Sequence, residues 1–454
     1  MRAALHDSRT SIEEFKDRSM QETTDGPVSM AVLPDAGGLD LIGNVFSFEE
    51  VCALAFGNER LGLIKMEDGS VGVFRYEHLK ALSENPEVGN TPANELIRWT
   101  LQHPEAANCP EGEAPGASLA RWVSNQIFTA NPPLHRPERM IIARQFVPRV
   151  IARLRPEAEK IMENIVKGCP EGEIFDLSRV VASKLSTEIC RHLLDLTADE
   201  ADRLGEAVDD MSQLFLLEPT LDQFASADRG AGRLIEVMCM AADRKMAAEG
   251  ENLIKTMAAE LALLDHKPDL DRTGMVPENI GLMLAANIFD AAHTTCVLAS
   301  NVMYFILKHR DVYERLRADS SLISNAVSEG MRLAPPLSVS PRFTLSDVEY
   351  LGVLIPEGTK LLMMWEVGNR DPSVFEDPHA FILERKVTRD VTFGGGAHLC
   401  PGRHLARMLA EVIVGGLVSP RIELQATETD GLWVPNTMLR HLRELPVTMS
   451  RLPA

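Results

Sequence analysis

The sequence is short of positive charge, of aromatic residues and of paired cysteines. Its 454 residues hold 46 Lys and Arg against 66 Asp and Glu, a formal charge of −20 at pH 7. That imbalance opposes general attraction to phosphate backbones or anionic lipid surfaces, so nucleic acid and membrane are not expected partners. The seven cysteines, Cys52, Cys109, Cys169, Cys190, Cys239, Cys296 and Cys400, are odd in number, scattered and free of CxxC spacing. This excludes a disulfide framework or a zinc ribbon and fits a reducing cytoplasm. Residues 1–30 have no apolar h-region of the kind a secretory signal requires, and read as a mobile tail. Aromatics make up 5% of the chain while methionines number 20, which suggests core filler and an adaptable aliphatic pocket. No internal repeat is visible.

What is present is a composition 45% hydrophobic and 25% charged, enough to bury a large core. Ser47 and Glu50 form a capping box, and LGLIKMEDGSVGVFR alternates around an Asp-Gly turn as a hairpin does. Residues 104–116, rich in Pro, Gly and Glu, read as a long surface loop. Helical spacing dominates from about Pro137 to Met331, including RVIARLRPEAEKIMENIVKG, FDLSRVVASKLSTEICRHLLDL and a segment opened by the capping box Thr197/Glu200. Beyond Pro335-Pro336 the period switches to short strands in RFTLSD, VEYLGVLIP and KLLMMW, and a final helix starts near Pro401. Asn279 to Leu307 is long and apolar enough to span a bilayer, but Asp290 and His293 in its middle argue for a helix buried in a soluble core, with Pro277 in its first turn.

The segment FGGGAHLCPGRHLAR, Phe393 to Arg407, places one cysteine between a triple-glycine loop and a basic run. A phosphate cradle would need a Lys-Ser/Thr pair or a βαβ context. A zinc site on His398, Cys400 and His404 has suitable ligand types but lacks a fourth. A turn with an incidental buried cysteine is the plainest reading. Against these, a cysteine just before a helix, with Arg403 and Arg407 nearby, has the ingredients of a thiolate. Glycines also let backbone approach a large flat group that a Cβ would block. A heme fits both requirements.

Phe393-Gly394-x-Gly396-x-His398-x-Cys400-x-Gly402 resembles the heme-binding loop of the cytochrome P-450 family, the heme-thiolate monooxygenases. Other marks of the family follow in order. Glu329 and Arg332 resemble its ExxR, with Arg385 in the place of the third member of that network. His135 and Arg139 resemble the HxxxR that meets the heme propionates, and Arg342 the strand arginine with the same task. His398 would be the second histidine there.

The resemblance covers about residues 40–454. It implies a mainly α fold with small β lobes, in which a long central helix passes over a buried heme. On this reading residues 31–454 form a single heme-thiolate domain: β-containing at 58–75, helical at 76–334, a β lobe at 337–366 and the cysteine loop at 393–402.

In the central helix Asp290, His293, Thr294 and Val297 stand at i, i+3, i+4 and i+7. Thr294 bonding back to the Asp290 carbonyl, with Asp290 and His293 satisfying each other, would be a structural arrangement. A proton route is the functional one, since oxygen reduction consumes protons. Where the family reads AGxDTT this chain reads DAAHTT, so Thr294 falls at the alcohol position, His293 at the acid position and Asp290 at a small-residue position. Either His293 replaces the acid or Asp290 supplies it one turn earlier.

The resemblance implies that Cys400 ligates the iron of heme b and that the protein uses O2 to oxidise an apolar, terpenoid-like small molecule. With neither membrane anchor nor fused flavin domain in view, it looks like the soluble bacterial type, drawing electrons from NAD(P)H through a reductase and a ferredoxin. Arg403, His404 and Arg407 would supply a basic docking face. Two rival functions differ in what they need. A peroxygenase turns over with peroxide and no electron donor, and a heme-thiolate sensor or electron carrier keeps Cys400 but needs no open site beside Thr294.

Overall fold

The computed structural model describes residues 28–30, 33, 52, 55–56, 62–66, 68–92, 116–215, 219–264, 274–434 and 438–453. The Ser47/Glu50 capping box and all of the 104–116 segment except Gly116 lie outside them. Of the first thirty residues, Val28–Ser29 pair as a strand.

Twelve helices carry the argument: α1 (Tyr76–Glu84), α2 (Ala117–Ser124), α3 (His135–Ala143), α4 (Pro148–Gly168), α5 (Lys184–Leu194), α6 (Ala198–Met211), α7 (Leu221–Ala247), α8 (Leu253–Leu261), α9 (Ile280–Lys308), α10 (Arg310–Ala318), α11 (Ile323–Leu333) and α12 (Arg403–Leu417). The strands are β1 (Val28–Ser29), β2 (Leu63–Lys65), β3 (Val71–Val73), β4 (Val88–Gly89), β5 (Ile174–Asp176), β6 (Ser340–Thr344), β7 (Val348–Tyr350), β8 (Val353–Ile355), β9 (Lys360–Met363), β10 (Ile422–Ala426) and β11 (Pro446–Arg451). They form a five-stranded sheet in the order β2-β3-β9-β6-β4 and two three-stranded sheets, β1-β8-β7 and β10-β11-β5. The hairpin expected around Asp68-Gly69 is β2/β3, with Leu63 opposite Val73.

α9 is the spine. Its 29 residues rise about 43 Å at about 1.5 Å each. Although it is long and apolar enough to cross a membrane, its surface is taken up by α7, α11 and α12. The helix begins later than Pro277 implied: Asn279 is its N-cap, accepting from the Leu282 N–H at 3.0 Å, so Pro277 lies before the first turn. The Thr197/Glu200 capping box opens α6 as its spacing indicated, and Thr220/Gln223 makes a second one at α7.

FDLSRVVASKLS departs from its helical reading. Ile174–Asp176 pairs with β11, Phe175 facing Val447, and Ser178–Ser183 winds as a wider π-helix before α5. Here the partner strand, remote in sequence, outweighs local periodicity.

Glu329, Arg332 and Arg385 form one buried network. Glu329 and Arg332 are each 0% exposed and pair through two bonds of 2.8 Å, and Arg385 Nε donates to Glu329 Oε1 at 2.9 Å. The remaining Arg332 N–H groups donate to the carbonyls of Asn369, Pro378 and Ala380 at 2.9, 2.7 and 3.1 Å. Every charge in this dry site therefore has a partner, as burial requires. Glu329→Gln removes the charge that both guanidiniums face and should cost about 3–5 kcal/mol in denaturant unfolding. Lys360→Ala, breaking an exposed pair with Asp68 at 3.4 Å, should cost under about 1 kcal/mol.

Candidate active site

The cysteine loop is a tight turn laid against α1. Cys400 N–H donates to the Phe393 carbonyl at 3.0 Å and Leu399 N–H to the Gly396 carbonyl at 3.2 Å, which closes the loop on itself. The glycines also meet a demand that local sequence does not show. Gly394 and Gly396 have φ of 72° and 61°, conformations that a side chain disfavours. A Cβ on Gly395 would meet Ser83 Oγ at 2.3 Å, and one on Gly396 would meet the Ser83 carbonyl oxygen at 1.8 Å. Gly395 and Gly396 thus make room for the end of α1.

Cys400 lies just before α12, and the Gly402 N–H is directed at its sulfur. Burial pushes the thiol up, while that N–H, Arg139 and Arg403 pull it down and Asp290 pushes it up. The thiolate thus needs a positive partner beyond the nearby arginines. Arg407, expected to assist, bonds Glu411, Ser324 and Ser328 instead, whereas Arg403 donates to the Cys400 carbonyl at 3.1 Å. Among the described residues no group of three or more His, Cys, Asp or Glu could hold a metal ion, which removes the zinc reading of His398, Cys400 and His404.

Beside the sulfur is a cluster of basic groups drawn from three elements. His135 opens α3, Arg139 follows one turn later, Arg342 comes from β6, and His398 belongs to the cysteine loop. The His135 and His398 rings are 4.0 Å apart. Arg139 donates to the Leu399 carbonyl, and Arg342 to Asn90, Ser340 and the Pro341 carbonyl at 3.3, 3.3 and 2.9 Å. No carboxylate among the described residues pairs with any of the four. Burial pulls Arg342 down to about 10 and, with Arg139 and Arg342 adding repulsion, His135 down to about 4. Burial lowers His398 further still, with repulsion from His135 and both arginines. His135 Nε2 is enclosed without a hydrogen-bond partner. Converging donors without an anion of their own suit a group that brings carboxylates.

On the α9 side the expected polar face divides. Thr294 Oγ1 donates to the Asp290 carbonyl. Burial pushes the Asp290 carboxyl up to about 7. His293 bonds neither residue. Its ring stacks on Phe289 and Phe215, both at 5.4 Å with planes tilted 13° and 12°. Burial and the neighbouring His441 hold it down at about 4. Val297, one turn on, is buried apolar core.

A sequence model described as Cytochrome P450 matches residues 101–420. The chain belongs to the cytochrome P450 family. As a P450 it is an oxidoreductase, a monooxygenase whose cofactor is heme b. It is 31% identical over 336 residues to the cytochrome P450 monooxygenase PikC of Streptomyces venezuelae, covering 72% of this chain and 77% of that one. It is 30% identical to the vitamin D(3) 25-hydroxylase of Pseudonocardia autotrophica, covering 85% and 90%. Among solved structures, the cytochrome P450 enzyme CxnD superposes with a TM-score of 0.74 at 19% identity, covering 95% of this chain and all of that one, a likeness of fold. The residues of this P450 fit heme: one sulfur donor at a helix start and, next to it, four basic groups without an anion among them.

Sequence reasoning missed the partners that fix α9. Trp122 Nε1 and Gln126 Nε2 donate to the Ala285 and Ala286 carbonyls, each at 3.1 Å, and Asn287 accepts from the Ile127 N–H at 3.3 Å. It also missed Phe215 and His441, which carry no local signal. The loop geometry yields a test: Gly396→Ala should lower heme content and thermal stability sharply. Gly402→Ala, whose Cβ would meet only Cys400 Sγ at 3.9 Å, should retain both, as read by heme absorbance and melting.

Proposed function

We propose that Cys400 is the thiolate ligand of the heme iron, and that Asp290 with Thr294, rather than His293, handles the protons consumed during oxidation of a bulky apolar substrate. The observation that carries this reading is the pairing of the Cys400 sulfur, which feels the charge of Asp290 across the site, with the adjoining basic cluster. Heme supplies the iron centre at which O2 is activated for insertion of one oxygen atom into a C–H bond.

The chain's own residues then divide the remaining tasks. His135, Arg139, Arg342 and His398 hold and neutralise the two propionates, and the charges they meet there offset the desolvation that now depresses them. Gly402 N–H and Arg403 favour the thiolate. Asp290 titrates close to neutrality, so it can release a proton and take one back at working pH, as an effective general acid must. Thr294 spends its own proton on the Asp290 carbonyl, which leaves its oxygen lone pairs free to accept.

His293, held near pKa 4 and unbonded to either residue, is neutral and poorly placed to relay. The substrate is of the bulky apolar kind, terpenoid-like; one relative, 30% identical, is named a vitamin D(3) 25-hydroxylase. Electrons come from NAD(P)H by way of a ferredoxin reductase and a ferredoxin in the cytoplasm. Arg403 and His404, on the sulfur's side of the fold, are its basic contacts, while Arg407 is engaged by Glu411.

Cys400→Ser should abolish the thiolate-type Soret band of the reduced carbon monoxide complex, and its persistence would remove this assignment. The protonated fraction of Asp290 falls about tenfold between about pH 6 and about pH 8, given its pKa of about 7. Product formed per NAD(P)H should fall across that range, with a matching rise in peroxide. Asp290→Asn should give poor coupling at every pH, and His293→Phe should keep the wild-type pH profile.

A further inference from the structure

His293 is held in an aromatic stack yet has no hydrogen-bond partner among the described residues. Its ring lies nearly parallel to Phe215 and Phe289, themselves 5.8 Å apart and 9° from parallel, and Trp122 meets Phe289 edge-on at 5.6 Å. Offset stacking at these separations is favourable and fixes the plane of the imidazole. Phe289 is fully buried, while Phe215 and His293 are only partly so. The Phe215 carbonyl accepts from the Met438 N–H at 3.1 Å, which joins the aromatic wall to the chain leading to His441. His293 is therefore flanked by the residues that follow α6 and by the C-terminal loop.

The two ring nitrogens differ. Nδ1 is enclosed with no hydrogen-bond partner. Nε2 also has no protein partner among the described residues, but it is not enclosed. A neutral imidazole carries one N–H and one lone pair. An enclosed N–H without an acceptor is rarer and costlier than an enclosed lone pair, so the proton belongs on Nε2. Among the described residues no carboxylate contacts the ring to favour the imidazolium. His441 is likewise defined: its Nδ1–H donates to the Leu439 carbonyl at 3.1 Å, so it offers His293 no charge partner. What remains is an oriented N–H donor on an apolar wall, next to Thr294 in the helix, with nothing among the described residues to receive it.

We infer that His293 is a specificity residue whose Nε2–H donates to a neutral oxygen, a carbonyl or hydroxyl, of an otherwise apolar substrate lying against Phe215. This deepens the monooxygenase reading above and rests on it. It assigns the substrate class as bulky and apolar with an isolated oxygen acceptor away from the carbon that is oxidised, in place of a pure hydrocarbon or an amine cation. A cation would face an N–H donor, and a hydrocarbon would leave that donor unpaired and desolvated.

The test uses heme-loaded enzyme and two ring compounds of matched size, cyclopentadecanone and cyclopentadecane, with binding read from the substrate-induced Soret shift. The wild type should bind the ketone about three- to tenfold more tightly, the range of one neutral hydrogen bond. His293→Phe, which keeps the stack, should erase that preference by weakening the ketone alone, and His293→Gln, which restores an N–H donor, should recover part of it. Equal affinity in the wild type, or a preference that survives in His293→Phe, overturns the inference. If His293→Phe fails to take up heme, the wild-type comparison and the Gln variant decide it. A wild type without a thiolate-type carbon monoxide spectrum sinks the underlying reading instead, so the two failures are distinguishable.

Discussion

The ion pair between Glu329 and Arg332, sealed from water, holds the two halves of the site in register. It sits on α11, which lies close against α9 because position 330 is glycine: a Cβ there would stand 3.1 Å from the Val302 Cα. From the other side of the pair, Arg332 reaches the Asn369 carbonyl. Asn369 in turn accepts from Val391 N–H at 2.8 Å and donates to Thr392 Oγ1 at 3.0 Å, immediately before Phe393. Few bonds therefore separate the central helix from the cysteine loop. A buried charge pair is weak evidence of net stability, but one satisfied on all sides is demanding about geometry. That demand is useful where the Cys400 sulfur and the polar turn of α9 at Asp290 must keep a fixed separation.

The electrostatics of the two faces are opposite in kind. Around the loop, basic groups are gathered and desolvated without anions, a configuration that pulls their pKa values down and is costly until carboxylates arrive. Along α9 and α3 the acids are desolvated and pushed towards neutrality: Asp290 up to about 7 and Glu138, its two oxygens enclosed and unpartnered, up to about 8. The fold thus leaves desolvated cations beside the cysteine loop, a cost that carboxylates brought by the cofactor would relieve.

Much of this was legible in sequence because the signals are local. The cysteine loop, ExxR, the hairpin at Asp68-Gly69 and the helical period of α9 all lie within a few residues of themselves, so spacing alone exposes them. Three features show what local sequence leaves out, because their partners are remote. The glycines of the loop answer to Ser83 in α1, Ile174–Asp176 is claimed by β11, and Arg407 is drawn off by Ser324, Ser328 and Glu411. Asn279 rather than Pro277 opens α9 because a side-chain acceptor for an orphan N–H outweighs a preset φ.

The departure from the family pattern in α9 follows from helical geometry. Successive residues turn by about 100°, so Thr294 stands about 40° from Asp290 but about 100° from His293. An acid at position 290 therefore shares the side of the Thr294 hydroxyl, whereas a group at position 293 looks towards Phe215 and the C-terminal loop. Moving the carboxyl back by three residues keeps an ionisable group next to the alcohol and, with the proton role proposed for Asp290, would release position 293 from proton chemistry. An imidazole there, stacked and neutral, is then available for the substrate contact proposed above. On this argument DAAHTT is one coupled exchange, in which the acid moves to the oxygen side and a neutral donor takes its former place.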